Sequence, residues 1–319
     1  MSEQTWLGID LGGTYIKWEL VADDGTSLRS GRTPTPRTGQ ITVTDAMVNI
    51  VDELGVAGVR PAAVGIAVPG HLSAARDSIT ILPNVPGDWV GFGVRSYIAE
   101  RTGLDISLLN DARAFALAEL ELGAAVGAST AVFATIGTGI GGAVAVDGRI
   151  VTSDRDTFGE IGHTTAVVDG EACACGGRGC VEAYAGGSKV LERAARRGVS
   201  IELGPDALTS LEFAARTDQA AADVLAEAHD AFAVGISTVC AFTGSTLVIL
   251  GGAVVAELPG YLDRSRQRLE QRRALLGPVE VRAGSLGARA GAVGAARAAR
   301  RNQSESKNVT SHPELEHQR

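Results

Sequence analysis

Two features that would direct a protein to a membrane or out of the cell are missing from this sequence. There is no basic leader followed by an apolar run, and no stretch approaches the roughly 20 consecutive apolar residues of a membrane span. Basic residues are not in excess either, because 29 Lys and Arg stand against 37 Asp and Glu, for a net charge of -8. We therefore expect a cytoplasmic protein whose main partner is neither nucleic acid nor an anionic membrane.

Length and composition predict about two packed domains, because 319 residues with 45% hydrophobic content exceed what one core usually serves. Two segments match each other in pattern, LGIDLGGTYIKWELVADDGT and VFATIGTGIGGAVAVDGRI. Each consists of a β-rich run, a Gly/Thr turn, a second β-rich run and an Asp-Gly turn, which is typical of a hairpin. The repetition predicts a fold with two similar halves facing each other.

Apolar spacing predicts the elements around these hairpins. The hairpin strands are expected at 5–11 with 15–21 and at 130–136 with 142–146. Further strands are expected at 28–33, 62–68, 105–109 and, as the last strand, 247–250; helices are expected at 42–54, 94–102, 187–197 and 218–242, and the basic residues of 264–273 have the spacing of a solvated helix face. A hairpin meander followed by alternating helices and strands predicts a mixed α/β sheet covered on both faces.

One short segment, FGEIGHTTAVVDGEACACGGRGCVEAYA, concentrates metal-ligand side chains. Its glycines allow the chain to fold back until three thiolates and one imidazole face a common centre, those of His163, Cys173, Cys175 and Cys180. This donor set suits a tetrahedral zinc ion, and four ligands leave no open position, so we expect a structural metal. Glu160 and Glu182 flank the ligands and would be carried to the same place. The alternative is a disulfide with spare thiols, or ordinary buried cysteines.

Two glycine-rich turns indicate phosphate binding. Both Asp10-Leu11-Gly12-Gly13-Thr14 and Gly137-Thr138-Gly139-Ile140-Gly141-Gly142 let backbone N–H groups approach an anion closely. Each alone is equally explained as a tight hairpin turn, but as a matched pair they could grip one polyphosphate. Neither is a Walker loop. Asp10 could hold Mg²⁺ through water, and the pair Gly251-Gly252 could let a flat ring lie against backbone.

A carboxylate follows the buried strand ISLL. Asp111 stands where this strand ends and the helix ARAFALAELELG begins, at the edge where α/β sheets bind ligands. A carboxylate there can take a hydroxyl proton as the oxygen attacks a phosphoryl group. The competing interpretation is that Asn110 or Asp111 only caps the helix. Asn110 can serve as cap or sugar ligand while Asp111 serves as base.

A series of motifs together resembles one family. In chain order they are DLGGT, VPG, NVPGDW, LLNDARAFALAE, GTGIGG, GEIGH followed by CACGGRGCVEAYA, and VILGGAV. They resemble the ROK family of sugar kinases and related repressors along nearly the whole chain, and the cysteine-rich motif is the most specific. The resemblance implies an actin-like, ribonuclease-H-like ATPase fold of two domains around a cleft. It also implies ATP and Mg²⁺ as co-substrates and a hexose 6-hydroxyl as the usual acceptor.

The resemblance assigns roles to individual residues. Asp111 becomes the catalytic base, and Gly70 lies near the sugar by its backbone. The implied sugar contacts are Asn84, Asn110, Asp111, Glu160, His163 and Glu182. The phosphates would be faced by Asp10, Gly12, Gly13, Thr14, Thr138 and Gly139, and the nucleoside by Gly252. His163 would have two tasks, with one ring nitrogen on zinc and the other toward a sugar hydroxyl.

The sequence departs from the family pattern on the sugar side. The usual Asn-x-Pro-Gly-Trp contains an inserted Asp88 here, and the loop that follows is glycine-rich, so we expect a reshaped wall and an open question about the substrate rather than the reaction. Family repressors carry an N-terminal winged helix, whereas DLGGT begins at Asp10 and leaves no room for one. A transcriptional regulator is therefore not expected.

Three functions are compatible with these motifs. The leading one is an ATP-dependent glucokinase, because Glu160, His163 and Glu182 together can bind several equatorial hydroxyls of an unmodified aldohexose. The alternative is a kinase for N-acetylmannosamine, N-acetylglucosamine or a sugar-like cyclitol, and the third is a sugar-sensing protein without turnover. We expect one domain at 1–111, completed by a helix near 288–301, and a second at 112–287 with the zinc loop inserted. A disordered tail is expected at 302–319, and assembly into a homodimer or homotetramer.

Overall fold

The computed structural model describes residues 4–82, 85–201, 204 and 206–310. The chain divides into two compact units. Unit 1 comprises Met1–Ala118, Thr152–Thr157 and Arg289–Arg319, and unit 2 comprises Glu119–Val151 and Phe158–Ala288. The first boundary thus falls inside the helix that begins at Asp111 rather than at its start. Unit 1 also takes up the short segment Thr152–Thr157, which no sequence pattern indicates.

Unit 1 is built on a mixed sheet with helices on its faces. Its elements are β1 (Thr5–Leu11), β2 (Tyr15–Ala22), β3 (Ser27–Pro34), α1 (Gln40–Val56), β4 (Ala63–Val68), β5 (His71–Leu72), β6 (Ile79–Ile81), α2 (Val94–Thr102), β7 (Asp105–Asn110), most of α3 (Asp111–Leu122) and α11 (Ala290–Thr310). The sheet order is β3-β2-β1-β4-β7. The first three strands form an antiparallel meander, and β4 and β7 run parallel to β1. The predicted strands and helices of this half are confirmed to within a few residues.

Strand β4 lies between β1 and β7 in this sheet. All six of its residues, AVGIAV, are buried, as is typical of a parallel strand covered on both faces. One face packs on α1 and α2, where the helical stripe of α1 contributes Val43, Met47, Ile50, Val51 and Leu54 to the core. The sequence predicts this stripe from its spacing.

Helix α11 covers the other face through backbone contact. A β-carbon at Gly8 would lie 1.8 Å from the Ala292 carbonyl oxygen, and one at Gly65 would lie 1.8 Å from that of Ala295. Any larger residue would push the helix away. The glycines of β1 and β4 therefore set how closely α11 approaches the sheet.

Helix α11 is also longer than the sequence indicates. The predicted disorder from residue 302 is wrong for 302–310, because the helix continues to Thr310. Asn302 donates to the Ser107 hydroxyl at 2.9 Å, and Gln303 donates to the Ala62 carbonyl at 3.1 Å. These contacts are polar, so the segment that extends the helix shows no apolar periodicity from which a helix could be predicted. Residues 311–319 lie outside the described part of the chain.

Unit 2 repeats the same plan. Its elements are β8 (Ala131–Ile136), β9 (Ile140–Val146), β10 (Arg149–Ile150), α4 (Val181–Ala185), α5 (Gly187–Arg196), α6 (Ala207–Ala214), α7 (Gln219–Thr243), β11 (Leu247–Gly251), α8 (Ala253–Glu257), α9 (Gly260–Gln271), α10 (Arg273–Leu276) and β12 (Glu280–Ala283). The sheet order β10-β9-β8-β11-β12 matches that of unit 1 position by position, with the same strand directions. The prediction of two similar halves is confirmed in topology.

The prediction that 247–250 is the last strand is wrong, because β12 follows it and pairs with β11. In β12 only Val281 is buried. An edge strand of four residues with one buried side chain gives no alternation for a sequence pattern to detect.

Helix α7 is the core helix of unit 2. Among the described residues it is the one helix long and apolar enough to cross a membrane by length and composition, but 56% of its most apolar window is buried inside the protein. Phe232, Ile236 and Cys240 pack into the same core as β8 and β11. Because the core helix of a globular protein passes the same test, the packing accounts for the composition.

Candidate active site and metal centre

The four predicted metal ligands come together in unit 2. The donor atoms of His163, Cys173, Cys175 and Cys180 all lie within 4.8 Å of one another. The Cys173 sulfur is 3.6 Å from His163 Nδ1, and the sulfurs of Cys175 and Cys180 are also 3.6 Å apart. His163 thus faces the cluster with Nδ1, which leaves Nε2 on the far edge of the ring.

The donor set fits a tetrahedral metal rather than a disulfide. Ligands about 2.3 Å from a zinc ion occupy tetrahedral corners about 3.8 Å apart, close to the spacing found here. All three cysteines are free thiols, so the disulfide alternative is wrong for this structure. Burial raises the pKa of the Cys180 thiol to about 12, and the neighbouring thiols add to the rise. Three thiolates this close together need a cation between them.

Local backbone contacts shape the metal segment. His163 ends a 3₁₀ turn, Ile161–His163, and its N–H donates to the Glu160 carbonyl at 3.1 Å. Within the cysteine loop, the Cys173 N–H donates to Gly177 at 2.9 Å and the Gly179 N–H donates to Glu171 at 2.8 Å. Glu160 and a ligand therefore share one turn, as their spacing predicts.

The metal segment packs on the second glycine-rich turn. The Ile140 N–H donates to a carboxylate oxygen of Glu182 at 2.7 Å, and a β-carbon at Gly139 would lie 2.4 Å from the same oxygen. A β-carbon at Gly162 would lie 2.4 Å from the Ile140 carbonyl oxygen. The structure thus brings Glu182, His163 and the turn into one compact region, and the sequence patterns did not indicate this contact.

Helices α5 and α8 brace the same turn from behind. The Gly187 N–H donates to the Gly137 carbonyl at 2.9 Å, and Ser188 donates to Thr138 through its backbone N–H and its hydroxyl. A β-carbon at Gly252 would lie 2.2 Å from the Ile136 carbonyl oxygen. Gly252 therefore adjoins the turn that contains Thr138 and Gly139. Ser188 is a bracing residue that sequence reasoning missed.

In unit 1 the first glycine-rich turn joins β1 to β2. The Gly12 N–H donates to Tyr15 at 3.0 Å, and the Thr35 hydroxyl donates to the Gly12 carbonyl at 2.6 Å. The Thr35 N–H also donates to Thr14 at 2.9 Å. The turn is thus a true hairpin turn, held by a threonine 23 residues away. Gly13 stands at its tip, between Gly12 and Thr14.

Asp10 lies at the end of β1, beside that turn. Its carboxyl group faces Gly291 in the first turn of α11, since a β-carbon there would lie 2.8 Å from the carboxyl group. Burial raises the pKa of Asp10, and the cross-strand neighbour Lys17 lowers it in part. A half-buried, desolvated acid with one partly compensating cation is suited to receive further positive charge.

Asn110 and Asp111 stand at the carboxyl end of β7. The Asn110 side-chain oxygen accepts from the N–H groups of Ala112 and Arg113, at 3.0 and 3.2 Å, and its amide nitrogen donates to the Gly70 carbonyl at 3.1 Å. Asn110 is therefore the cap of α3 and also fixes Gly70. Asp111 accepts from the Ala112 N–H at 2.8 Å.

The sugar-side loop is described from Val85 onward, and Asn84 lies outside the described residues. The inserted Asp88 donates its N–H to the Gln40 side chain at 3.0 Å. Trp89 is buried, and its indole N–H lies 3.2 Å from the Val85 carbonyl. The insertion is thus tied to the start of α1.

The predicted residues fall into two sets. Unit 1 holds Asp10, Gly12, Gly13, Thr14, Gly70, Asn110 and Asp111, while unit 2 holds Thr138, Gly139, Glu160, His163, the cysteines, Glu182 and Gly252. Sequence reasoning missed a buried ion pair between Arg113 and Asp156 in unit 1. The only sign of this pair in the sequence is a lone arginine in the first turn of a helix, and a lone arginine belongs to no motif.

Comparison with known proteins gives one family and several close relatives. A family model described as the ROK family matches residues 6–302. The glucokinase of Streptomyces coelicolor is 31% identical over 313 residues, which cover 92% of this chain and 97% of that protein. The N-acetylmannosamine kinase of Citrobacter koseri is 34% identical over 273 residues, covering 84% of this chain and 90% of that protein.

A solved structure extends the likeness to three dimensions. The crystal structure of a ROK family glucokinase from Streptomyces griseus, in complex with glucose and AMPPNP, superimposes with a TM-score of 0.78 at 29% sequence identity. The match covers 93% of this chain and 99% of that one.

Proposed function

The chain belongs to the ROK family, and from that membership we propose that it transfers the terminal phosphoryl group of ATP to the 6-hydroxyl of a hexose, with glucose as the leading acceptor. Its fold is the actin-like ATPase fold, in which each unit repeats the same five-strand order. Both curated relatives are named as sugar kinases. The Streptomyces griseus protein binds a sugar together with a nucleotide analogue.

One contact carries the proposal, the hydrogen bond from the Ile140 N–H to Glu182. Ile140 belongs to a glycine-rich turn suited to phosphate, and Glu182 belongs to the segment suited to sugar hydroxyls. Their direct contact supports a site in which a sugar hydroxyl and a phosphate lie side by side. A protein that only sensed sugar would have no need for this arrangement.

Asp111 is proposed as the general base. As the sugar oxygen attacks the γ-phosphorus, the hydroxyl proton moves to the Asp111 carboxylate and the bond to the leaving ADP oxygen breaks. Because Asn110 already accepts from two N–H groups at the start of α3, capping alone does not account for an acid at position 111. Asn84, Asn110, Glu160, His163 and Glu182 are proposed to bind the sugar, with Gly70 against it by its backbone.

The glycine-rich turns are proposed to hold the nucleotide. Backbone N–H groups of Gly12, Gly13 and Gly139, with the hydroxyls of Thr14 and Thr138, would bind the phosphates, and Gly252 would lie against the nucleoside. Mg²⁺, when bound, neutralises charge on the β- and γ-phosphates. Asp10 would hold that ion through water, and its burial makes an unpaired carboxylate unfavourable.

We propose zinc as the metal of the His/Cys cluster, in a structural role. Four protein donors complete a tetrahedral shell, and three sulfurs with one imidazole match the ligands that zinc takes in such sites. The ion would fix the loop that presents Glu182, while His163 Nε2 would be directed to a sugar hydroxyl. Three reduced thiols also support a cytoplasmic location.

An N-acetylated amino sugar is the second candidate acceptor. The Citrobacter koseri relative is named an N-acetylmannosamine kinase, and the inserted Asp88 alters the loop after Val85 through its bond to Gln40. An N-acetylated amino sugar differs from the unmodified hexose in carrying an acetamido group instead of a hydroxyl at one ring position. A change in one loop can therefore decide which of the two sugars is bound.

The test is a coupled ADP-release assay with ATP over glucose, N-acetylmannosamine, N-acetylglucosamine and cyclitols. The proposal expects turnover with at least one of these, with the largest kcat/KM for glucose. A largest kcat/KM for an N-acetylated sugar would identify the second candidate. Sugar binding by calorimetry without any ADP release would support the sensor and contradict the kinase.

Replacing the base gives the sharpest test of mechanism. Asp111→Asn should lower kcat by about 10² to 10⁴ while glucose binding persists, because general-base catalysis contributes about that factor. The matched control is Asp105→Asn, an exposed acid at the opposite end of the same strand, which should leave kcat unchanged. Near-normal kcat in Asp111→Asn would remove this residue from the mechanism.

Assembly is proposed to be a homodimer or homotetramer, as expected for an acidic chain with apolar helices in its second half. Native mass spectrometry at micromolar protein distinguishes the two, and a monomer mass would contradict both.

A further inference from the structure

A buried ion pair involves Arg113, in the first turn of the helix that begins at Asp111. Arg113 and Asp156 are each only 3% exposed, and the Arg113 guanidinium pairs with the Asp156 carboxylate. A second guanidinium nitrogen donates to the Asp156 backbone carbonyl at 2.8 Å. Two contacts from one planar guanidinium fix its orientation as well as its position.

The Asp156 carboxylate has further partners on another element. One of its oxygens accepts from the Leu72 N–H at 3.1 Å, and the Arg76 guanidinium lies 3.7 Å from the other. Leu72 is in β5, two residues after Gly70. A single carboxylate therefore joins the first turn of α3 to β5.

Asn110 forms a second tie between the same two elements. Its amide nitrogen donates to the Gly70 carbonyl, and its side-chain oxygen accepts from the Arg113 N–H. Asp111 lies between the two ties, next to Asn110 on one side and two residues from Arg113 on the other. Asp111 thus belongs to a helical turn that both ties connect to the segment from Gly70 to Leu72.

The backbone of Asp156 is held in an unusual conformation. Its φ of 56° lies in the left-handed region, which non-glycine residues seldom adopt. Such a conformation persists when its surroundings over-determine it, and at Asp156 the surroundings are Arg113, Arg76 and the Leu72 N–H. An apolar residue at position 156 could fill the space, but it could not accept from the Leu72 N–H and orient Arg113 at once.

We propose that Arg113 and Asp156 are positioning residues for the phosphoryl transfer, which rests on the proposed function. The pair fixes the first turn of α3 against Gly70 and Leu72, and it thereby fixes the Asp111 carboxylate relative to the sugar contact that Gly70 provides. Displacement of a catalytic group by about 1 Å can cost on the order of 10²-fold in rate. The pair therefore acts on kcat rather than on nucleotide binding.

The experiment compares Arg113→Met, Asp156→Asn and the double variant. Arg113→Met leaves Asp156 with the partly exposed Arg76, 3.7 Å away, as its remaining counter-charge, and Asp156→Asn removes the carboxylate that pairs with Arg113. Each single change should therefore lower Tm. The double variant removes both charges, and Asn keeps an oxygen for the Leu72 N–H and tolerates the left-handed conformation. Its Tm should recover most of the loss, as neutral replacements of buried ion pairs often do.

Activity in the double variant should not recover with stability. We expect kcat to stay lower by roughly 10- to 100-fold, with the KM for ATP within about twofold of the wild type, because only the base is misplaced. A purely structural pair predicts instead that kcat returns together with Tm. Recovery of both would overturn the proposal.

The matched control is Arg297→Met in α11. Arg297 is another buried arginine of unit 1, and it donates to the Asp23 carbonyl at 2.7 Å rather than to Asp156. Its loss should lower Tm without lowering kcat at a temperature where the protein is folded. An equal fall of kcat in this control would show that any loss of a buried arginine slows the enzyme, and that too would overturn the proposal.

The wild type separates the two proposals. A wild type that releases no ADP with any sugar of the panel overturns the proposed function and this inference together, whereas an active wild type with an equally active double variant overturns this inference alone. If the double variant does not fold, Arg113→Lys decides, because it keeps the charge but loses the second contact to Asp156. We expect a fall in its kcat of at least about threefold with Tm close to the wild type, and unchanged kcat would contradict the inference.

Discussion

The two glycine-rich turns occupy equivalent positions in the two sheets, yet they acquire their negative charge in different ways. The turn after β1 follows its own acid, Asp10, and a neutral hydroxyl from Thr35 braces it. The turn between β8 and β9 contains no acid in GTGIGG. It receives the carboxylate of Glu182 from the metal segment at 2.7 Å.

This difference shows how one topology can serve two tasks. Charge at the first turn is part of its own strand and does not depend on other segments. Charge at the second turn arrives on a loop whose shape depends on four clustered side chains. Loss of the metal should therefore disturb the second turn and leave the first one intact, and each prediction below tests one side of this contrast.

The largest effect is expected at the first turn. Asp10→Asn should lower kcat by about 10² to 10³, the usual cost of losing one electrostatic group that acts on transferring phosphate. Stability should move the other way, because the raised pKa of Asp10 means that folding penalises the ionised form. Without Mg²⁺ and nucleotide, Asp10→Asn should have a higher Tm than the wild type at any pH above the pKa of Asp10 in the folded protein. This difference should vanish as pH falls below 3.8, the ordinary pKa of an aspartate. Thermal melts across pH and steady-state kinetics measure both, and an unchanged kcat would contradict the role.

The next effect tests metal dependence at the second turn. Cys175→Ser, or prolonged chelation, should remove one zinc per chain and lower kcat/KM for the sugar by roughly 10²-fold, because Glu182 loses its position. The KM for the sugar should rise more than the KM for ATP. The control is Cys240→Ala, which replaces a buried cysteine of α7 outside the cluster. This variant should keep the metal of the His/Cys cluster. Active protein without zinc in metal analysis would refute the structural role.

A smaller effect isolates the charge that Glu182 delivers. Glu182→Gln keeps an oxygen for the Ile140 N–H but removes the charge, which is worth about 1 kcal/mol in a hydrogen bond, or roughly a fivefold to tenfold change in kcat/KM. The control is Glu171→Gln in the same loop, whose carboxylate pairs with Arg196 instead of the turn. Equal kcat/KM values for Glu182→Gln and Glu171→Gln would show that the charge of Glu182 at the turn does not contribute to catalysis.

The smallest effect is expected for the neutral brace. Thr35→Val removes the hydroxyl that donates to Gly12 but keeps the shape of the side chain. The free energy of unfolding should fall by about 1 kcal/mol and kcat should change little, because Asp10 remains in place. Denaturant titration provides the measurement. A fall in kcat as large as that of Asp10→Asn would mean that the first turn also depends on a distant brace.

Features encoded within short stretches were predictable from the sequence. The apolar runs of β1, β4 and β11, the stripe of α1 and the clustering of His163 with three cysteines each depend on residues within one short stretch of the chain. Contacts between distant residues were not predictable in this way. The disorder predicted from residue 302 is wrong for 302–310 because the contacts of Asn302 and Gln303 reach 195 and 241 residues back along the chain.

By itself, the sequence determined which segments become strands and helices, which side chains can ligate a metal, and where a carboxylate follows a buried strand. Only the tertiary structure decided that Glu182 reaches Ile140, 42 residues away, and that Arg113 pairs with Asp156, 43 residues away. Periodicity and spacing report the local geometry of the chain. A single polar contact between distant segments produces no periodic pattern in the sequence. It can therefore be identified only after packing has brought its two partners together.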